Sequence, residues 1–181
     1  MEHGITEELA KLKALHGADF VKQLKAIAAR KEFHPLTTDP DIFTVGGEND
    51  ADYQSLLTVA RKAVEHGYKV YLLPNPHDFP TADFILERRN VFKLFDLKNI
   101  TGKSIVGSRL LESVEQANRV ILNLSTDYNP SSLARALKMY FENSKDALEV
   151  VVFKGRKMIS VTRDITLSED YYNTFMRRYI R

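Results

Sequence analysis

The alternation of apolar and polar positions divides the chain into helical and strand-like stretches. Ile5, Leu9, Leu12 and His16 form one helical stripe, which Gly17 breaks. Phe20, Val21, Leu24, Ile27 and Ala28 form the next. The opposite faces carry Lys11, Lys13, Lys22, Lys25, Arg30 and Lys31, the mark of a helical hairpin with a solvated basic face. Residues 34–47 hold prolines and glycines with no helical period and read as a boundary. The expected organisation is an N-terminal helical arm over residues 1–33, a main domain over 46–162 and a C-terminal helical tail over 163–181. The arm is expected to be dispensable, because the elements of 49–162 supply a two-sided core.

Residues 49–66 predict the clearest helix, with Tyr53, Leu56, Leu57, Ala60, Ala63 and Val64 on one face. Asn49 suits its N-cap and Gly67 ends it. Glu48, Asp50 and Asp52 cluster at its start, where capping and dipole stabilisation already account for them. Tyr68 to Leu73 predicts a strand, and 74–80 a loop with His77 and Asp78. Ile105 to Ala117 predicts a helix with Val106, Leu110, Val114 and Ala117 inward. Arg119 to Ser125 predicts a strand buried on both faces. Asn129-Pro130 starts a further helix carrying Leu133, Ala136, Leu137 and Tyr140. Leu148–Phe153 and Met158–Val161 predict a hairpin, and Tyr171 to Arg181 a helix.

Chemistry concentrates in residues 81–98. Two β-rich runs, Ala82 to Leu86 and Val91 to Leu97, flank the polar turn Glu87-Arg88-Arg89-Asn90 and predict a hairpin. Side chains alternate along a strand, so Asp96 and Lys98 point the same way. Pairing through the turn would bring Asp83 close to Asp96. Two carboxylates then repel unless a cation sits between them, and Mg²⁺ prefers oxygen ligands. The plainer alternative is that these residues merely mark the ends of sheet strands.

Composition narrows the function classes. The chain has 181 residues, 44% hydrophobic and 28% charged, as in an ordinary globular domain. It contains no cysteine, which excludes disulfides, thiol catalysis and Cys-ligated zinc and fits a cytoplasmic protein. No run approaches a membrane span, no signal peptide is evident, and no membrane partner is expected. Net charge is only +2, so a nucleic-acid partner requires a local basic patch. No Gly-rich phosphate loop follows a strand, which removes a Rossmann-like nucleotide binder.

The predicted order from the 49–66 helix onward is helix, three strands, helix, strand. With Asp83 on the second strand and Asp96-Leu97-Lys98 ending the third, the sequence resembles the PD-(D/E)XK nuclease superfamily. The tripeptide is intact, and Ala82-Asp83 replaces Pro-Asp. The chain is most similar to one branch, the C-terminal tRNA nuclease domains of contact-dependent growth inhibition toxins and related nuclease domains of mobile elements. Glu48-Asn49-Asp50, the run Ala63 to Val70, and Gln116-Ala117 before Val120 to Leu124 carry that likeness, over about residues 46–162.

The resemblance implies an α/β, restriction-endonuclease-like αβββαβ core, with a mixed sheet flanked by helices and the N-terminal helical arm added. It implies that Asp83, Asp96 and the backbone carbonyl of Leu97 bind a divalent metal, Mg²⁺ first and Mn²⁺ or Zn²⁺ as alternatives. Lys98 would act on the attacking water and the phosphate, and Glu48 would join the site, with Asp52 or Gln116 as other candidates. Lys93, Lys103, Arg109 and Arg135 would meet nucleic acid, with Arg88 and Arg89 at the hairpin tip; for any one of them, solvated surface charge explains it as well. The implied activity is hydrolysis of phosphodiester bonds in RNA such as tRNA, with an immunity protein as a further partner and delivery into a target-cell cytoplasm if the chain is a toxin domain. The alternatives are a DNA endonuclease of a mobile element and a catalytically silent binding module.

Overall fold

The computed structural model describes residues 2–46, 51–74, 81–102, 105–114 and 116–181. It is mixed α/β, and the chain divides into two compact units, Met1–Phe95 and Asp96–Arg181.

The first unit opens with α1 (Glu2–Leu12) and α2 (Gly17–Ala28), which pack on each other. The predicted stripes are largely inside: Ile5, Leu24 and Ile27 are fully buried. Val21, placed on the inner stripe by spacing, is 49% exposed. The stretch read as an irregular boundary contains two short strands, β1 (His34–Pro35) and β2 (Ile42–Thr44). They are too short to show a period, and tertiary pairing makes them: β1 runs antiparallel to β2, and β2 parallel to β3 (Lys69–Leu72). Tyr71 of β3 stacks on Phe43 at 4.9 Å and meets Phe33 edge-on at 5.5 Å. Between them lies α3 (Ala51–Glu65), packed on β2 and β3. Gly67 ends it as expected, at φ 84°, a left-handed conformation that costs glycine nothing.

β3 pairs antiparallel with β4 (Phe84–Arg88), and β4 antiparallel with residues 91–95 of β5 (Val91–Ile100). The predicted hairpin therefore forms, with shifted limits. The strand runs through Glu87 and Arg88, and the turn is only Arg89-Asn90, both at positive φ (53° and 64°). Such a two-residue turn matches the twist of its strands, and Glu87 accepts a 2.6 Å hydrogen bond from the Asn90 N–H.

In the second unit, residues 96–100 of β5 pair parallel with β6 (Arg119–Leu124). β6 pairs parallel with β7 (Glu149–Lys154), and β7 antiparallel with β8 (Lys157–Thr162). The crossovers are α4 (Val106–Glu112) and α5 (Pro130–Asn143), which pack together. Asn129 caps α5, accepting the Ser132 N–H at 3.0 Å ahead of Pro130. The chain continues through α6 (Arg163–Leu167) and α7 (Tyr171–Ile180), both against α5. The core joins Val120, Leu122, Val150 and Val152 of the strands to Leu110, Leu133, Leu137, Tyr140 and Phe141, and to Tyr171, Phe175 and Tyr179 of α7.

Candidate functional site

Asp96 and Lys98 lie where the sequence pattern puts them, on one face of β5. In register, Asp96 stands opposite Val120 and Lys98 opposite Leu122. The next strand contributes Val150 and Val152 on the same rows. Those four residues belong to the apolar core, so the charged pair is set into the hydrophobic face beside α4 and α5. Asp96 is 1% exposed and Lys98 8%.

Within this enclosure the two side chains form an ion pair, Lys98 Nζ to Asp96 Oδ2 at 3.2 Å. A third group joins them. Ser113 follows the last residue of α4, is fully buried, and donates its hydroxyl to the same Oδ2 at 2.5 Å. The helix predicted to run to Ala117 stops here, with the Ser113 N–H bonded back to the Leu110 carbonyl. Val114, expected inward, is consequently 46% exposed, while Ala117 is buried. Ser113 was not singled out in the sequence. Its position three residues after the inward Leu110 is the signal that could have found it.

Tyr140 of α5 is buried in the same core. Its phenol is pushed up to about 12, first by burial and then by the negative charge of Asp96. The set of a buried carboxylate, an ammonium and a hydroxyl can hold an anionic group beside the ammonium and can orient a proton donor or acceptor.

Asp83 belongs to the first unit. It immediately precedes β4 and is half-buried, its N–H donating to the Phe95 carbonyl at 2.9 Å and its own carbonyl accepting from the Leu73 N–H at 3.0 Å. Asp52 is exposed in the first turn of α3. Gln116 donates to the Glu112 carbonyl at 3.3 Å, back towards α4. Arg109 is engaged with Glu112 at 2.6 Å on the surface of α4, and Arg135 is exposed on α5. Lys93 is half-buried on β5, and Arg88 lies over the Tyr68 ring at 4.4 Å. Glu48, Asn49, Asp50, His77, Asp78 and Lys103 lie outside the described residues.

Among the described residues, no group of three or more His, Asp or Glu side chains comes together to hold a metal ion. Asp96 is a hard oxygen donor of the kind Mg²⁺ takes, and Lys98 and Ser113 both engage its Oδ2. No helix among the described residues is long and apolar enough to cross a membrane.

No family model matches this sequence, and no curated protein matches it. Among solved structures, the chain is similar to one described as the CdiA-CT/CdiI toxin and immunity complex from Burkholderia pseudomallei. The similarity spans 65% of this chain and 92% of the other, at 17% identity and a TM-score of 0.45, too low to bear on function.

Proposed function

We propose that the chain is a metal-dependent nuclease that hydrolyses phosphodiester bonds, with RNA such as tRNA as its substrate, and that Asp96 and Lys98 are its catalytic centre. The observation that carries this reading is the burial of an Asp-x-Lys pair beside the apolar rows of β6 and β7. Replacing a buried ion pair by well-packed apolar side chains is often neutral or stabilising, by about 1–4 kcal/mol. Stability alone therefore does not explain a charged pair here, and a chemical role accounts for it. The sequence resemblance to PD-(D/E)XK nucleases gives that role a class. The chain order α3, β3, β4, β5, α4, β6 supports it.

In this reading Asp96 is one carboxylate of a divalent-metal site. Asp83 is the second, on the strength of the sequence resemblance. The Leu97 carbonyl is the third oxygen. The bound ion would lower the pKa of a water and polarise the scissile phosphate. The chain's own groups do the rest. Ser113 holds the Asp96 carboxylate in one orientation, so it is a positioning residue. Lys98 is the more exposed of the pair and meets the phosphate. Its ammonium stabilises the negative charge that grows on the phosphate oxygens, more strongly in a dry site than in water. Tyr140, neutral throughout the physiological range, adds no competing charge beside Asp96. An immunity protein that blocks the site, and delivery into a target-cell cytoplasm, belong to the same reading.

The test is incubation of the pure protein with tRNA, single-stranded DNA and duplex DNA, each with and without Mg²⁺ or Mn²⁺. Cleavage of RNA that needs the ion, and is lost in Lys98→Ala, supports the proposal. Cleavage confined to DNA would move the substrate assignment. Ion-independent binding without cleavage would favour a catalytically silent module.

A further inference from the structure

Among the described residues, β8 has β7 on one side and no strand on the other. It is six residues long and joins β7 through a two-residue turn, with Lys154 and Lys157 as the closing register pair. Such a turn closes on a hydrogen-bonded pair, after which bonded and non-bonded pairs alternate along an antiparallel ladder. Ile159 and Val161 therefore direct their backbone groups to β7, and Met158, Ser160 and Thr162 direct theirs away from it. Ser160 bears this out: its carbonyl accepts from the Arg178 guanidinium of α7 at 3.3 Å.

An outward row of backbone N–H and C=O groups at two-residue spacing is matched by another extended chain. The strand most readily at hand is a second copy of β8. Antiparallel pairing about a two-fold axis at Ser160 sets Ser160 opposite Ser160, and Met158 opposite Thr162 of the second copy. All three side chains are uncharged, so none repels its counterpart. Lys157 and Arg163 meet at the ends of such a pairing, but both are engaged elsewhere. Lys157 donates to the Tyr179 carbonyl at 3.0 Å, and Arg163 to the carbonyls of Phe141 and Ser144. Ile159 and Val161 are buried in the core, which holds the register of β8 fixed. β1, which also has a single neighbour, is blunted by its length of two residues and by Pro35. β8 is longer and has no proline, and the group set on its edge is Arg178.

We propose that Arg178 guards the β8 edge: its guanidinium, seated on the Ser160 carbonyl, keeps a second copy of this chain from adding its own β8 there. The carbonyl it holds is the central acceptor of the self-pairing. Two-fold symmetry about Ser160 would also bring two Arg178 guanidiniums towards each other, and like charges facing across strands are destabilising. A charge laid over an edge is one of the ways proteins keep sheets from joining. The proposal stands apart from the nuclease reading and does not rest on it.

The experiment is sedimentation velocity of the full chain over a range of protein concentrations, with folding checked by circular dichroism. The proteins are the parent, Arg178→Ala, the control Arg177→Ala, and the double variant Arg178→Ala, Ser160→Lys. Arg177 lies on the same turn of α7, carries the same charge and pairs with Asp170 at 3.3 Å, away from the edge. Arg178→Ala is expected to self-associate at least about tenfold more tightly than the parent, its mean mass rising towards that of a dimer. Arg177→Ala is expected to behave as the parent. Ser160→Lys sets two ammoniums opposite each other only in a self-pairing about Ser160, so the double variant is expected to return to monomer. If that variant does not fold, Arg178→Ala, Ser160→Pro serves instead, because proline removes the outward N–H while an edge strand tolerates it. Three results would overturn the proposal. One is association of Arg178→Ala no tighter than that of the parent. Another is association of Arg177→Ala as tight as that of Arg178→Ala, which would make it a general effect of lost charge. The third is association that survives the change at Ser160, which would place it on another surface.

Discussion

Truncating Lys98 leaves the Asp96 carboxylate buried without its counter-charge, and the size of the effect can be worked from the geometry. At 3.2 Å the pair attracts by about 5 kcal/mol at an effective dielectric near 20, before the desolvation of both ions is subtracted. Removing one partner of such a buried pair costs about 3–5 kcal/mol, because the other charge stays uncompensated. Lys98→Met and Asp96→Asn should each therefore lower stability by several kcal/mol. The double variant should lie within about 1 kcal/mol of the parent, since the introduced amide keeps an acceptor for the Ser113 hydroxyl and no charge remains buried. Urea unfolding followed by circular dichroism, with the m-value held constant across the series, gives the coupling energy as a double-mutant cycle. Single variants within about 0.5 kcal/mol of the parent would mean that the pair is effectively solvated, and the reasoning from burial would fail.

Two other expectations follow from the same unit. The Tyr140 phenol, raised towards 12, keeps its proton longer folded than unfolded, so its stabilising contribution is complete below about pH 10 and is lost as pH rises from about 10 to 12. A tyrosinate absorbance titration of Tyr140→Phe should lack one late-titrating phenol, and an unchanged late phase would show that Tyr140 titrates normally. Arg163 donates to the Phe141 carbonyl, to Ser144 at 2.7 Å and to Lys145 at 3.2 Å, closing the end of α5. Arg163→Lys should lower the thermal midpoint nearly as much as Arg163→Ala, because one ammonium cannot span those carbonyls, and full rescue by Lys would refute the fork.

The long amphipathic elements were legible in the sequence because one face of each is buried: of the predicted stripes, Leu57, Ala60 and Ala63 of α3 and Leu133, Leu137 and Tyr140 of α5 lie inward. β1 and β2 were not, since two or three residues show no period and their pairing partners lie elsewhere in the chain. α6, five residues between β8 and α7, was too short to signal itself. Alternation along β5 was enough to place Asp96 and Lys98 on one face, where their ion pair forms. Ser113 escaped notice because a serine in a helical stripe reads as a polar interruption. Its meaning comes from the Asp96 carboxylate, seventeen residues earlier in the chain. The end of the α4 helix moved for a related reason: its last predicted turn gives way at the residue whose hydroxyl bonds the buried acid.

Metal binding measured by calorimetry on Asp96→Asn and Lys98→Ala, with RNA cleavage by the same proteins, tests the proposed centre most directly. Asp96→Asn removes a ligand charge and should lose both metal affinity and cleavage. Lys98→Ala removes a repelling neighbour, so metal affinity should hold or rise while cleavage falls by about 10²-fold or more. Metal bound as tightly by Asp96→Asn as by the parent, or cleavage by Lys98→Ala at the parent rate in folded protein, would contradict the assignment.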